Sequence, residues 1–155
     1  GFMAYADIIR SAFPTMEDIA DLIEGIASAD MPTTFTPYTP NPAASGSMTW
    51  TSTTNDVCEY VRLGKLCWVR HKLTGTVGGT LSDSLLVDLP FASITTGSGA
   101  ALYLPVTVQS GGGNWEAGVG IIGTGATQII YRRTLYTNYG AGAGGVGANF
   151  FYKVA

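Results

Sequence analysis

The chain has 155 residues, of which 46% are hydrophobic and only 12% are charged, about half the charge of an average soluble domain. Its 21 glycines and 17 aromatic residues (three Trp, eight Tyr and six Phe) disfavour both a helical bundle and intrinsic disorder. No apolar run reaches the roughly 18–20 residues that a membrane span requires, so we expect no membrane insertion.

The acidic residues are concentrated at the N-terminus. Residues 1–31 contain six acids and one base, a net charge of −5, whereas residues 32–155 contain five acids and seven bases, a net charge of +2. Nucleic-acid binding depends on clustered Lys and Arg, and an almost neutral body does not provide them. We therefore expect no nucleic-acid partner.

Residues 1–31 are predicted to form a helical arm. Thr15 and Asp18 form an approximate capping box after Pro14, as at a helix N-terminus. Four apolar residues follow with the spacing of one helix face: Ile19, Leu22, Ile23 and Ile26. A helix of about 14 residues is marginal alone in water, so we expect this stripe to dock on the body, on a second copy or on a partner protein.

Residues 32–47 contain prolines at positions 32, 37, 40 and 42. Proline removes a backbone hydrogen-bond donor and favours extended backbone. This segment is therefore predicted to be a semi-rigid linker or an edge segment of a sheet.

Residues 48–155 show period-two alternation between glycine-rich turns, which is typical of β-strands. We predict eight strands, at 48–53, 56–62, 65–73, 83–88, 100–108, 114–122, 126–135 and 148–154. Their spacing, with no helical pattern between them, predicts an all-β fold: an antiparallel β-sandwich, most specifically a jelly roll.

The two cysteines, Cys58 and Cys67, flank a predicted hairpin. The turn is expected either at residues 62–64, which places the thiols on opposite faces, or at residues 63–64, which places them on one face but offset. Neither register sets the thiols opposite each other, so we expect two buried free thiols and no disulfide.

The sequence contains few residues that could act in catalysis. His71 is the only histidine, lacks a nucleophile at a recognisable spacing and is expected to be a surface or packed residue. No close ligand pairs suggest a metal site, and we expect no cofactor.

The string from Gly118 to Gly123 imitates a dinucleotide fingerprint but precedes no helix. The run YGAGAGGVGANFF from Tyr139 is predicted to form a wrapping loop, or to pack closely against a symmetry mate.

The aromatic residues are the better indication of function. Trp50 and Trp68 alternate with apolar neighbours and are predicted to lie in the core. Aromatic and amide side chains in loops can offer flat, hydrogen-bonding surface to sugars or proteins. The predicted binding residues are Trp115, Tyr136, Asn138 and Tyr139. The alternative is that these aromatic side chains anchor their own turns.

The order of motifs between residues 36 and 91 resembles a β-sandwich domain of bacteriophage tail fibres and related virion appendages. The matching pieces are Thr36-Pro37, the strand MTWTS from Met48, the hairpin YVRLGKL from Tyr60, the loop TVGGT from Thr76, and Leu89-Pro90-Phe91. The closing NFFYKVA is similar to the final strand of that family.

The resemblance implies a homotrimeric, non-enzymatic virion protein that projects from the particle, and it implies no catalytic residues. Because the arm is only 31 residues long, a short fibre, spike or knob is favoured over a long shaft. The arm would anchor the protein to a capsid or tail, and the sandwich would face the host surface. Decoration of the capsid or tail without a receptor role, and a carbohydrate-binding module, are the alternatives.

Overall fold

A computed structural model describes Asp7, residues 34–94 and residues 101–155. The chain divides into residues 1–34 and residues 35–155, and every described strand belongs to the second unit. The predicted helical arm, with Ile19, Leu22, Ile23 and Ile26, lies outside the described residues. No helix in the described part is long and apolar enough to cross a lipid bilayer.

The nine described strands form one antiparallel sheet. They are β1 (Thr36–Pro37), β2 (Ala43–Ala44), β3 (Met48–Leu63), β4 (Leu66–Gly79), β5 (Leu85–Asp88), β6 (Leu102–Gln109), β7 (Trp115–Ile122), β8 (Gln128–Arg133) and β9 (Gly142–Lys153). Their order across the sheet is β1-β3-β4-β9-β6-β7-β8-β5-β2. The prediction of an all-β, antiparallel fold is confirmed.

The sheet curls so strongly that its two edge strands come close together. β1 and β2 lie at opposite edges, yet only residues 38–42 separate them in the chain. Nine strands laid flat would place these edges about 38 Å apart, whereas the chain from Pro37 to Ala43 spans at most about 21 Å. The sheet therefore curls around one core.

The described part of the proline-rich segment contributes to both edges of the sheet. Described residues of this segment supply both edge strands, since β1 pairs with β3 and β2 pairs with β5. Tyr38 also donates its backbone N–H to the carbonyl of Cys58 at 3.0 Å. Edge positions suit proline because only one side of an edge strand must donate to a ladder. Residues 36–37 and 43–44 of this segment therefore belong to the sheet.

Alternating side chains of the central strands fill the core. Val69, Leu73 and Val77 of β4 are buried, and Val108 of β6 and Ile129 of β8 lie in the same cluster. His71 of β4 is buried with them, whereas Arg70 and Lys72 on either side of it face outward, as the period-two pattern requires. The fold thus gives the sheet an inner apolar face and an outer mixed face.

The first hairpin differs from both predicted registers. The two predicted strands at 48–53 and 56–62 are one strand, β3, which is interrupted by register shifts between Thr51 and Thr54 and between Asn55 and Val57. Leu63 pairs with Leu66, so the turn is Gly64-Lys65. Gly64 has φ of +57°, the conformation that a mirror-image two-residue turn needs at its first central residue. Both predicted turn positions are wrong by one residue or more.

The glycine-rich run before the last strand is not a loop, so that prediction is wrong. β9 begins at Gly142 and pairs with β4 through its whole glycine-rich half. Side chains of neighbouring strands occupy the space that a Cβ would need: Cγ2 of Val77 lies 2.5 Å from a Cβ built at Gly144, and the indole of Trp115 lies 2.8 Å from one built at Gly145. Glycine is used here for close packing within a strand.

Candidate functional site

Trp115 lies at the start of β7 on the outer face of the sheet. Its indole reaches across β6 to β9, where Gly145 and Gly147 provide a surface without side chains. Trp115 as a whole remains 39% exposed. The glycine-rich half of β9 therefore leaves room for the indole of Trp115 to pack directly against the strand.

A cleft of about 650 Å³ opens beside this ring. Pairing between β6 and β9 ends at Thr107 and Gly147, and Pro105, which has no N–H to donate, lies next to the point of separation. The cleft is lined by His71 and Lys72 of β4, Pro105, Val106 and Thr107 of β6, Trp115 of β7, and Gly147, Ala148 and Asn149 of β9. Its size is within the range of small-ligand sites.

Three polar side chains belong to this cleft. Asn149 accepts a hydrogen bond from the indole N–H of Trp68 through Oδ1. Thr107 donates its hydroxyl to the carbonyl of Gly147 at 3.2 Å. Lys72 faces Asp56, with Nζ 4.0 Å from Oδ2. Each contact leaves further hydrogen-bonding capacity on the side chain.

A cluster of aromatic side chains continues the same outer face. Trp68 stacks on Phe151 with ring centroids 5.1 Å apart and meets Phe35 edge-on at 5.0 Å. Arg70 lies over Phe35 and pairs with Glu59 at 2.8 Å. The expected core position of Trp68 is wrong, because Trp68 pairs in register with Val61 and Phe151 on the outer side of the sheet.

The prediction for Trp50 is confirmed, since this side chain is only 7% exposed and belongs to the core cluster. Trp50 and Trp68 thus occupy opposite faces. Both follow an alternating pattern, and alternation alone does not say which face of a strand points inward.

The other predicted binding residues lie elsewhere. Tyr136 is 45% exposed, with the guanidinium of Arg132 5.0 Å from its ring centroid. Asn138 accepts a hydrogen bond from Arg133 through its backbone carbonyl. Neither residue lines the Trp115 cleft, so the structure does not bring the predicted loop residues into one site.

Tyr139 was predicted to be a binding residue at the surface, but the structure buries it completely. Its hydroxyl donates to the carbonyl of Tyr131 at 2.9 Å, and its N–H donates to the carbonyl of Ser82 at 2.9 Å. The side chain anchors its own turn, which was the alternative interpretation. It cannot contact a ligand at the surface.

His71 is packed between two tyrosines in the core. Tyr38 donates its single hydroxyl proton to the carbonyl of Asp88 at 2.8 Å, so Nε2 of His71 must donate to the oxygen of Tyr38. Nδ1 is then the acceptor for the hydroxyl of Tyr131 at 2.8 Å. Burial lowers the pKa of His71 from 6.5 to about 3, and both ring nitrogens have partners. A neutral, fully engaged imidazole is unsuited to act as a general base.

The carboxylates of the body are engaged with separate partners. Glu59 pairs with Arg70, Asp56 with Lys72, Asp83 with Arg132, and Glu116 with Arg133; Asp88 accepts from the N–H of Asn41 and from Gln128. Among the described residues, no three His, Cys, Asp or Glu side chains are grouped so that they could hold a metal ion.

The prediction for the thiols is confirmed, since Cys58 and Cys67 are free and buried. Burial raises the pKa of Cys58 to about 11 and also raises that of Cys67. Cys58 pairs in register with His71, so both thiols face the core. A buried thiol of raised pKa is a poor nucleophile.

Sequence reasoning identified Trp115 but missed the residues around it. Pro105, Thr107 and Asn149 belong to two strands that are distant in the chain, and the glycine run of β9 was interpreted as a loop. The spacing of Gly145 and Gly147 could have indicated this surface, because two residues at i and i+2 share one face of a strand.

No protein-family model matches the chain, and neither a curated protein nor a solved structure matches it.

Proposed function

We propose that the chain is a non-enzymatic structural protein of a bacteriophage virion, a short fibre, spike or knob that forms a homotrimer. Its N-terminal arm anchors it to a capsid or tail protein, and its β-domain faces outward to bind a host-surface glycan or protein. The motifs between residues 36 and 91 support the virion assignment, and the outer face of the sheet supports binding.

The observation that carries the binding role is the composition of that outer face. It combines exposed aromatic rings, such as those of Tyr103, Trp115 and Phe151, with amide and hydroxyl groups, and it includes an open cleft. Two of its cationic side chains have carboxylate partners, since Arg70 contacts Glu59 and Lys72 faces Asp56. Exposed aromatic side chains with adaptable polar neighbours are typical of recognition surfaces.

The chemistry of the core supports a non-enzymatic role. The only histidine of the chain is held neutral between Tyr38 and Tyr131. The two thiols face the core, and burial suppresses their ionisation. These groups stabilise the fold and do not line up as nucleophile and base.

We propose further that the curled sheet is a two-layered sandwich of the jelly-roll type. His71 of β4 contacts Tyr131 of β8 through the core, although three strands lie between them in the sheet. Tyr38, next to β1, reaches the backbone of Asp88 in β5. Such contacts join opposite halves of the sheet, as the two layers of a sandwich require.

The first test is the mass of the purified full-length protein in solution. Three chains of 16.2 kDa give a particle of about 49 kDa by sedimentation equilibrium, which is the expected result. A monomer at high concentration would contradict the appendage proposal, because closed symmetric assembly is part of it.

The second test separates binding from turnover. The protein is incubated with bacterial capsular polysaccharide, and the chain length of the polysaccharide is followed by size-exclusion chromatography. We expect an unchanged chain length, whereas progressive shortening would contradict the non-enzymatic role. A stable trimer that retains no polysaccharide would favour virion decoration over host attachment.

A further inference from the structure

We propose that the cleft beside Trp115 is a binding site for a neutral hexopyranose unit of an oligosaccharide. This inference rests on the proposed function, which it deepens by naming the ligand class and the residues that hold it. The site consists of the indole of Trp115, the amide of Asn149, the hydroxyl of Thr107 and the ring of Pro105.

The position of the indole favours a flat ligand with an apolar face. Carbons of its six-membered ring pack against β9, with one 2.8 Å from a Cβ built at Gly145 and another 3.8 Å from one built at Gly147. These contacts hold the planar indole in place at the border of the cleft, where Trp115 stays partly exposed. The C–H face of a pyranose ring can stack on such a plane, which also presents the negative face of its π-system.

The polar groups around the cleft suit the hydroxyls at the edge of a sugar. Oδ1 of Asn149 is engaged by Trp68, so the two N–H bonds of its amide remain for donation. The hydroxyl of Thr107 gives its proton to the carbonyl of Gly147, and its oxygen can still accept. A sugar hydroxyl both donates and accepts, so it can satisfy either group.

Charge and size favour a neutral and small ligand. Lys72 faces Asp56, and Arg70 pairs with Glu59, so the cationic groups close to the cleft have anionic partners of their own. A cleft of about 650 Å³ suits a small ligand and is too limited for a folded protein domain.

The test uses the full-length protein labelled with ¹⁵N and four neutral oligosaccharides: maltohexaose, cellohexaose, mannohexaose and chitohexaose. Hexagalacturonate is the anionic probe. The indole N–H signal of Trp115 is assigned by its loss in Trp115→Phe and is followed during titration up to about 10 mM, which covers weak single-site binding. We expect at least one neutral probe to shift this signal in a saturable manner.

Two variants locate the binding. Trp115→Ala should weaken the affinity by about tenfold or more, and Asn149→Ala should also weaken it. The matched control is Tyr136→Ala, which removes another exposed aromatic side chain that does not line the cleft, and it should leave the affinity unchanged. Circular dichroism of each variant confirms that it is folded.

Three results of the binding experiments would overturn the inference. They are the absence of any shift of the Trp115 signal with all neutral probes, a shift with hexagalacturonate alone, and an equal loss of affinity in Tyr136→Ala. Dissociation of the oligomer in Trp115→Ala would also overturn it, because the cleft would then be an interface between copies. A trimer that binds none of the probes would leave the virion proposal standing while this inference fails.

Discussion

Nδ1 of His71 lies 2.8 Å from the hydroxyl oxygen of Tyr131, so a side chain of β4 and a side chain of β8 meet by a hydrogen bond inside the core. Tyr38 holds the other ring nitrogen and is bonded in turn to the backbone of Asp88. Three buried polar groups thus satisfy one another. Because each would be expensive to bury alone, this network fixes how the two halves of the sheet align.

The stability of the protein should fall as the pH is lowered from about 7 toward 5. The pKa of His71 is about 3 in the folded protein and 6.5 ordinarily, so the unfolded chain binds one more proton between these values. The contribution of neutral His71 to the free energy of unfolding is therefore fully present above pH 6.5. It is lost as the pH falls toward the pKa of His71 in the folded protein. The slope should approach about 1.4 kcal/mol per pH unit below pH 6, measured by urea unfolding.

The variant His71→Gln provides the control for this pH dependence. It should be less stable than the parent at pH 7.5 because the bonds to Tyr38 and Tyr131 are disturbed. Its free energy of unfolding should, however, be almost independent of pH between 5.5 and 7. An equal slope in parent and variant would show that another group titrates in this range.

Gly145→Ala should destabilise the fold by about 1–3 kcal/mol, as overpacking of a filled site does. The added Cβ would lie 2.8 Å from the carbonyl oxygen of Leu73 and 2.8 Å from the indole of Trp115. Chemical denaturation measures the loss, and a shift of tryptophan fluorescence should report displacement of the indole.

Gly123→Ala is the matched control, since its added Cβ would come no closer than 4.0 Å to Ala126. Its stability should stay within about 0.5 kcal/mol of the parent. Similar losses in Gly123→Ala and Gly145→Ala would mean that the glycines of β9 are not required by packing.

The glycine run shows where sequence reasoning reaches its limit. The central strands were predictable because Val69, His71 and Leu73 alternate with outward residues, and that signal is local. The first half of β9 has almost no side chains, so it shows no alternation of hydrophobic and polar residues. What fixes it as a strand is its pairing with β4 and the indole of Trp115, which comes from a distant part of the chain.

The cleft was unpredictable for a related reason. Pro105 and Asn149 each lie in a strand of ordinary alternation, and the site arises only because β6 and β9 separate beyond Thr107 and Gly147. Tyr139 illustrates the opposite case: its loop position and neighbours favour exposure, yet a hydrogen bond to the carbonyl of Tyr131 accompanies complete burial.

Removing the hydroxyl of Tyr139 should therefore be costly. Tyr139→Phe leaves the buried carbonyl of Tyr131 without this donor, and the free energy of unfolding should fall by about 1–3 kcal/mol. The same change at the exposed Tyr136 should stay within about 0.5 kcal/mol of the parent. Equal effects of the two variants in urea unfolding would refute the assignment of Tyr139 to the core.

The two thiols should be protected by the fold. Because burial raises the pKa of Cys58 to about 11, only about one in a thousand of its side chains is a thiolate at pH 8. Burial raises the pKa of Cys67 as well. Iodoacetamide at pH 8 should therefore modify neither residue quickly in the native protein, and both should react once urea is added.

Mass spectrometry of intact protein follows this reaction, with the single variants Cys58→Ser and Cys67→Ser separating the two rates. Rapid modification without urea would mean that local opening exposes the inner face of the hairpin formed by β3 and β4. A protein that stays unmodified in urea until a reductant is added would instead contain a disulfide. That result would require the offset thiols of this register to move together, and hence a different pairing of β3 with β4.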